Sequence, residues 1–232
     1  MAGKNDRPYY IGLGIIILLF GAFAVHNVIH YINKNKVVDS NRSDDRAPVA
    51  DKFLKKFNAV PSFTLINQNG DTITNDTFKD KVVVVDFFFT SCPTICPPMT
   101  ANMGKLYNKF KDNPDFAMLS ISIDPGTDSP VVLKEYAGRY NANLPWHFAT
   151  GDREAIYSLA REGFQSYVAP SNDPEVGFEH SGNFALVDRD GHIRSRKDEH
   201  GNFIYVYQGV DQDGSGDHVT ELSEDIEILL NK

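Results

Sequence analysis

In Lys81-Val82-Val83-Val84-Val85-Asp86-Phe87-Phe88-Phe89-Thr90-Ser91-Cys92-Pro93-Thr94-Ile95-Cys96-Pro97-Pro98-Met99, an apolar run ends directly in a pair of cysteines. The run Lys81–Phe89 has the continuous apolar character of a strand buried on both faces. Beyond the cysteines, Met99, Met103, Leu106, Tyr107 and Phe110 recur at helical spacing, which predicts a helix over Pro98–Lys111. Pro97 and Pro98 suit its first turn, where an amide has no intrahelical partner. Cys92 then closes the strand, and Cys96 lies at or near the start of the helix. Helical positions four apart place their Cα atoms about 6 Å from each other, within disulfide range. The helix N-terminus favours thiolate there.

These two are the only cysteines in 232 residues. They could form a disulfide, exchange one, or hold a soft metal ion. Dithiol oxidoreductases usually carry two residues between their cysteines, whereas Pro93, Thr94 and Ile95 make three here. The looser pair can still close, but it also leaves both sulfurs free to face one ion. Two thiolates are an incomplete site, so a third ligand has to come from elsewhere. His180 is the best placed, in the loop Gly177-Phe178-Glu179-His180-Ser181-Gly182 ahead of a strand at Asn183–Val187. Of the other histidines, His26 and His30 fall in the N-terminal apolar stretch and His147 in a short apolar strand. His192 sits in a turn, and His200 and His218 read as solvent-facing.

Outward from this centre the chain alternates. Phe63–Ile66 and Thr72–Thr74 flank Asn69-Gly70-Asp71, a hairpin signal. Phe116–Ile123 is a second buried strand and Trp146–Ala149 a short one. Pro130–Tyr140, Arg153–Glu162 and His218–Leu230 read as helices, and Ile204–Gln208 as a further strand. Such alternation around buried strands is the α/β pattern.

The N-terminus carries a separate signal. Tyr9–Val25 is a run of 17 uncharged residues, continued to Ile32 before the first lysine beyond it, Lys34. That length crosses a hydrocarbon core as a helix, and no small-residue cleavage site follows. The expected organisation is a tail over 1–8, a transmembrane helix over 9–32, a polar linker over 33–50 and one folded domain over 51–232. Lys4 and Arg7 precede the run while Lys34, Lys36, Arg42 and Arg46 follow it, so a positive-inside count does not place the domain outside. The net charge is −8, with 23 basic against 31 acidic residues. Residues 1–47 hold 6 basic and 4 acidic, leaving 17 against 27 for the domain. That balance argues against nucleic acid as a partner.

The anchor, the Cys-Pro-Thr-Ile-Cys-Pro run, Ser122-Ile123-Asp124-Pro125 with Asp128 after it, and the late His180 together resemble the Sco/SenC family. The resemblance covers about residues 50–232. It implies a thioredoxin-like, peroxiredoxin-related domain that binds copper in cytochrome c oxidase assembly, with Cys92, Cys96 and His180 as ligands. Soft thiolates with one imidazole suit Cu(I), and a Cys/His set also holds Cu(II); zinc normally seeks a fourth protein ligand. The implied partners are an oxidase subunit with a dinuclear copper (CuA) site and an upstream copper donor, on the extracytoplasmic, periplasmic side. No turnover is implied. Asp124 and Asp128 read either as a turn and helix N-cap ahead of Pro130, or as carboxylates that support the ligands or meet a partner.

Two other readings compete. A thiol–disulfide oxidoreductase keeping the oxidase copper-site cysteines reduced would use Cys92 and Cys96 without needing His180. A peroxidase is weaker, because Phe89 stands where a Thr-x-x-Cys setting needs threonine. The run Asp211–Asp217 has the acidic spacing and sixth-position glycine of a calcium loop. Its twelfth position is Leu222 where a bidentate glutamate is required, so it reads as a solvated turn.

Overall fold

The computed structural model describes residues 53–170, 178–198, 200–211 and 217–231, with Gly21 and Val25 besides. The transmembrane helix expected over 9–32 and the linker over 33–50 lie otherwise outside the described residues. No helix among the described residues is long and apolar enough to cross a membrane. The chain divides into two compact units, Met1–Ala47 and Pro48–Lys232, and the second carries the fold that follows.

In chain order its elements are β1 (Lys55–Ala59), β2 (Thr64–Asn67), β3 (Thr72–Thr74), β4 (Val82–Phe88), α1 (Cys96–Phe110), β5 (Phe116–Ser122) and α2 (Pro130–Arg139). Then come β6 (Trp146–Thr150), α3 (Arg153–Ser158), β7 (Val168–Pro170), β8 (Phe178–His180), β9 (Asn183–Val187), β10 (His192–Ser195), β11 (Tyr207–Gln208) and α4 (Val219–Leu230). One sheet runs β1-β10-β9-β4-β5-β6-β2-β3, with β11 added on β9, and β7 pairs β8 separately. β4, β5 and β6 are parallel, joined by the crossover helices α1 and α2, while β9 meets β4 antiparallel.

Every residue of β4 and of β5 is buried, including Asp86, whose Oδ1 accepts from Ser120 Oγ at 2.5 Å. Successive side chains leave opposite faces. Phe88 meets Tyr136 of α2 at 5.2 Å between ring centroids, whereas Phe87 meets Phe164, beyond α3, at 5.6 Å. The face with α1 is closed by Tyr107 on Trp146 and Phe110 on Phe116. The hairpin forms as its turn chemistry demands, with Gly70 at φ +84°.

Helix α1 begins at Cys96, two residues before the apolar spacing starts to report it, with Pro97 and Pro98 filling its first turn. The helix expected over Arg153–Glu162 is α3 followed by one π-helical turn, Leu159–Gly163. Strands β1, β7, β8 and β10 are additions. β1 has a single apolar core-facing ring, Phe57, and exposes most of its length. β10 conceals itself by carrying Arg194, which is buried because Asp188 Oδ2 (3.0 Å) and the Leu54 carbonyl (2.7 Å) accept from it. His180 was expected in a loop and instead closes strand β8, opposite Val168; three residues are too few to show a period.

Candidate metal centre

The all-buried strand β4 delivers the cysteines. Its ladder with β5 is extended by Ile123 N–H donating to the Phe88 carbonyl (2.9 Å), after which Cys92 N–H turns back onto the Phe89 carbonyl (3.3 Å). No disulfide joins the two cysteines. Cys92 is 8% exposed and Cys96 1%. Cys96 N–H donates to Cys92 Sγ at 3.4 Å, and Thr94 Oγ1 lies 3.8 Å from the same sulfur. The Cys92 sulfur therefore sits at the N-terminus of α1, the place where a helix accommodates negative charge. Cys96 behaves differently from the expectation of a helix-stabilised thiolate. Its hydrogen bond with Cys92 and its burial both push its thiol far above the usual range, with the Phe89 backbone opposing.

Asp128 is not the cap of α2. That role falls to Ser129, whose Oγ accepts from Val132 N–H at 3.5 Å. Asp128 is instead buried at 1% exposure. It accepts from Thr90 N–H (3.1 Å), Thr90 Oγ1 (2.5 Å) and Ser122 Oγ (2.5 Å). One carboxylate thus joins the residue two before Cys92 to the end of β5. Asp124 does hold the expected turn, its carbonyl accepting from Thr127 and Asp128 N–H. Its carboxylate lies 3.8 Å from Arg153 Nη2. Sequence reasoning missed Thr90 and Ser122, whose only signal was adjacency to the cysteines and to Asp124.

His180 enters through its backbone, the part of it that is described. Phe178, in the same short strand, packs its ring on Phe89 at 5.4 Å, which sets β8 beside the strand end that leads into Cys92. Among the described side chains no three of His, Cys, Asp or Glu converge on one point, and the His180 side chain lies outside that set. Three other described histidines, His147, His192 and His218, lie elsewhere in the fold. His147 is half-buried against Phe78, and burial lowers its pKa. His192 opens β10 near Asp188. His218 was expected to face solvent, but its Nδ1 accepts from Gln208 N–H at 3.2 Å and its own N–H donates to the Gln208 carbonyl. In the acidic run, residues 212–216 lie outside the described residues, and the Asp217 carboxylate accepts from Val219 N–H and Asn102 Nδ2.

A parallel β–α–β core with two thiols at the C-terminal end of its central strand is a thioredoxin-like dithiol domain. The SCO1/SenC family matches residues 52–212, and the chain belongs to that family. The SCO1 protein homolog of Bacillus subtilis (strain 168) is 38% identical over 138 residues, 58% of this chain and 70% of that protein. A Stutzerimonas stutzeri protein, provisionally named as copper-binding, is 31% identical over 160 residues, covering 68% of this chain and 76% of its own length. The solved structure of BsSco, a member of the Sco family of cytochrome c oxidase assembly proteins with a disulfide switch, superposes with a TM-score of 0.61 at 31% identity. That match spans 76% of this chain and 96% of BsSco.

Proposed function

We propose that this chain takes up one copper ion on Cys92, Cys96 and His180 and hands it to the CuA site of cytochrome c oxidase during assembly. The observation that carries the reading is the pair of juxtaposed sulfurs beyond the end of β4, with Cys96 N–H on Cys92 Sγ at 3.4 Å. The relatives support it: one bears the name of a copper-binding protein and another is an oxidase assembly protein. Copper is cargo here, moved by ligand exchange. Two thiolates with one imidazole suit Cu(I) and also accept Cu(II). Thiolate is the ligand form, so copper uptake releases the thiol protons.

A disulfide between Cys92 and Cys96 removes both anionic ligands at once. The full-length chain is expected to bind one equivalent of copper as dithiol and at least about a hundredfold more weakly as disulfide, read by metal analysis after gel filtration. Equal copper in both forms would falsify the copper reading. The second reading, thiol–disulfide exchange with the oxidase copper-site cysteines, is favoured by the same unbridged pair, and the variants argued in the Discussion separate the two.

The expected single-span anchor places the domain at a membrane, and the proposed recipient places it on the extracytoplasmic side. Protease added to spheroplasts is expected to remove the domain; complete protection until lysis would reverse the orientation.

A further inference from the structure

We infer that Asn102 is a positioning residue, registering the His180-bearing segment against the cysteine-bearing helix through the backbone of Gly209. The inference rests on the copper reading above only for what the register is used for. Asn102 lies in α1, less than two turns after Cys96, and is 8% exposed. Its Nδ2 donates to the Gly209 carbonyl at 2.7 Å, and Gly209 N–H donates to the Gly182 carbonyl at 2.7 Å. Gly182 is two residues beyond His180. A chain of two hydrogen bonds therefore runs from the helix that starts at Cys96 to the segment that carries the third candidate ligand.

The link has little play. A Cβ at position 209 would stand 2.6 Å from the Phe184 ring and 2.9 Å from the Gly182 carbonyl, so only glycine permits the approach. Just before it, β11 pairs Gln208 with Asn183 and Tyr207 with Phe184, and His218 holds Gln208 from the side of α4. On the far side, Ser181 N–H donates to the Tyr167 carbonyl and Ser181 Oγ lies 2.8 Å from Ser166 Oγ. Gly209 is thus fixed to Gly182, just ahead of β9, and the Asn102 side chain ties it to α1. Its amide also reaches Asp217 Oδ2 at 3.4 Å, a longer bond at the start of α4.

Asn102→Leu keeps the branched heavy-atom skeleton and removes the donor. Three measurements on the full-length chain in detergent micelles test the inference. Amide exchange at Ser181, Gly182 and Gly209 is expected to quicken about tenfold, while titration of the two thiols is unchanged. Cu(I) affinity, measured by competition with a chromophoric chelator, is expected to fall about tenfold, as for other residues that orient a ligand. In a His180→Ala background the same substitution is expected to cost no further affinity, since nothing remains to be positioned. Unchanged exchange at those amides overturns the inference, and so does an equal loss of affinity in both backgrounds. Should His180→Ala alone leave Cu(I) binding intact, the copper reading fails, and the exchange result decides the Asn102 link by itself. Asn102→Asp, which also lacks the donor, carries the same measurements if the leucine variant does not fold.

Discussion

Cells that depend on this chain are expected to lose cytochrome c oxidase activity at limiting copper when they carry His180→Ala, although the variant still exchanges disulfides. The imidazole is the only candidate ligand that copper delivery needs and thiol chemistry does not. Removing it leaves Cys92 and Cys96 in place, with the Cys96 N–H still directed at Cys92 Sγ. Groups that merely orient a metal ligand cost 10- to 100-fold in affinity, so losing the ligand itself costs roughly a hundredfold or more. Cys92→Ser and Cys96→Ser are expected to abolish activity under either reading, because each destroys both the thiolate pair and the disulfide. Oxidase activity in the three strains, beside reduction of a small disulfide by the purified chains, separates the alternatives. Normal oxidase activity with His180→Ala would promote thiol exchange to the principal function.

Asp128→Ala is expected to lower the unfolding free energy by about 3–5 kcal/mol, read from urea denaturation. The carboxylate accepts from three donors in a setting only 1% exposed. Its removal strands the Thr90 amide, which cannot rotate away, and leaves two hydroxyls to find new partners. The loss falls beside the cysteines, so copper affinity at temperatures well below unfolding is expected to drop as well. Asp128→Asn keeps an acceptor and is expected to lose less than half as much. A change below about 1 kcal/mol for the alanine variant would show that the brace contributes little.

The centre of the fold was legible because its signals are local. A nine-residue stretch with seven apolar residues, a proline-marked helix start and an Asn-Gly-Asp turn each report on their own surroundings. The parts that escaped depend on residues far apart in sequence. β10 holds a buried arginine whose partners, Asp188 and Leu54, are identified by the fold alone. β7 and β8 have three residues each and exist because they face each other. At the site, the cysteines announced themselves through scarcity and spacing. Asp128 was singled out with two readings open, a helix cap or a carboxylate supporting the site, and the cap is supplied by Ser129, since a carboxylate pointing back at Thr90 looks in sequence like one pointing forward at a helix. Asn102 carried no signal at all among the apolar positions of α1.

The antiparallel neighbour of β4 has a consequence for the life of the polypeptide before it is folded. Val83 pairs with Val187, so one edge of the central strand stays open until the chain has been made about a hundred residues further. Closing a loop of that length is slow and entropically costly compared with closing a hairpin. Gly209 and α4 come later still. The two sulfurs are therefore synthesised well before the strand that closes the edge of β4. In the interval they stand on an open chain, exposed to any oxidant or stray metal in the compartment. Withholding reductant during synthesis is therefore expected to raise the disulfide fraction of the mature chain, read by thiol alkylation, whatever cargo it carries.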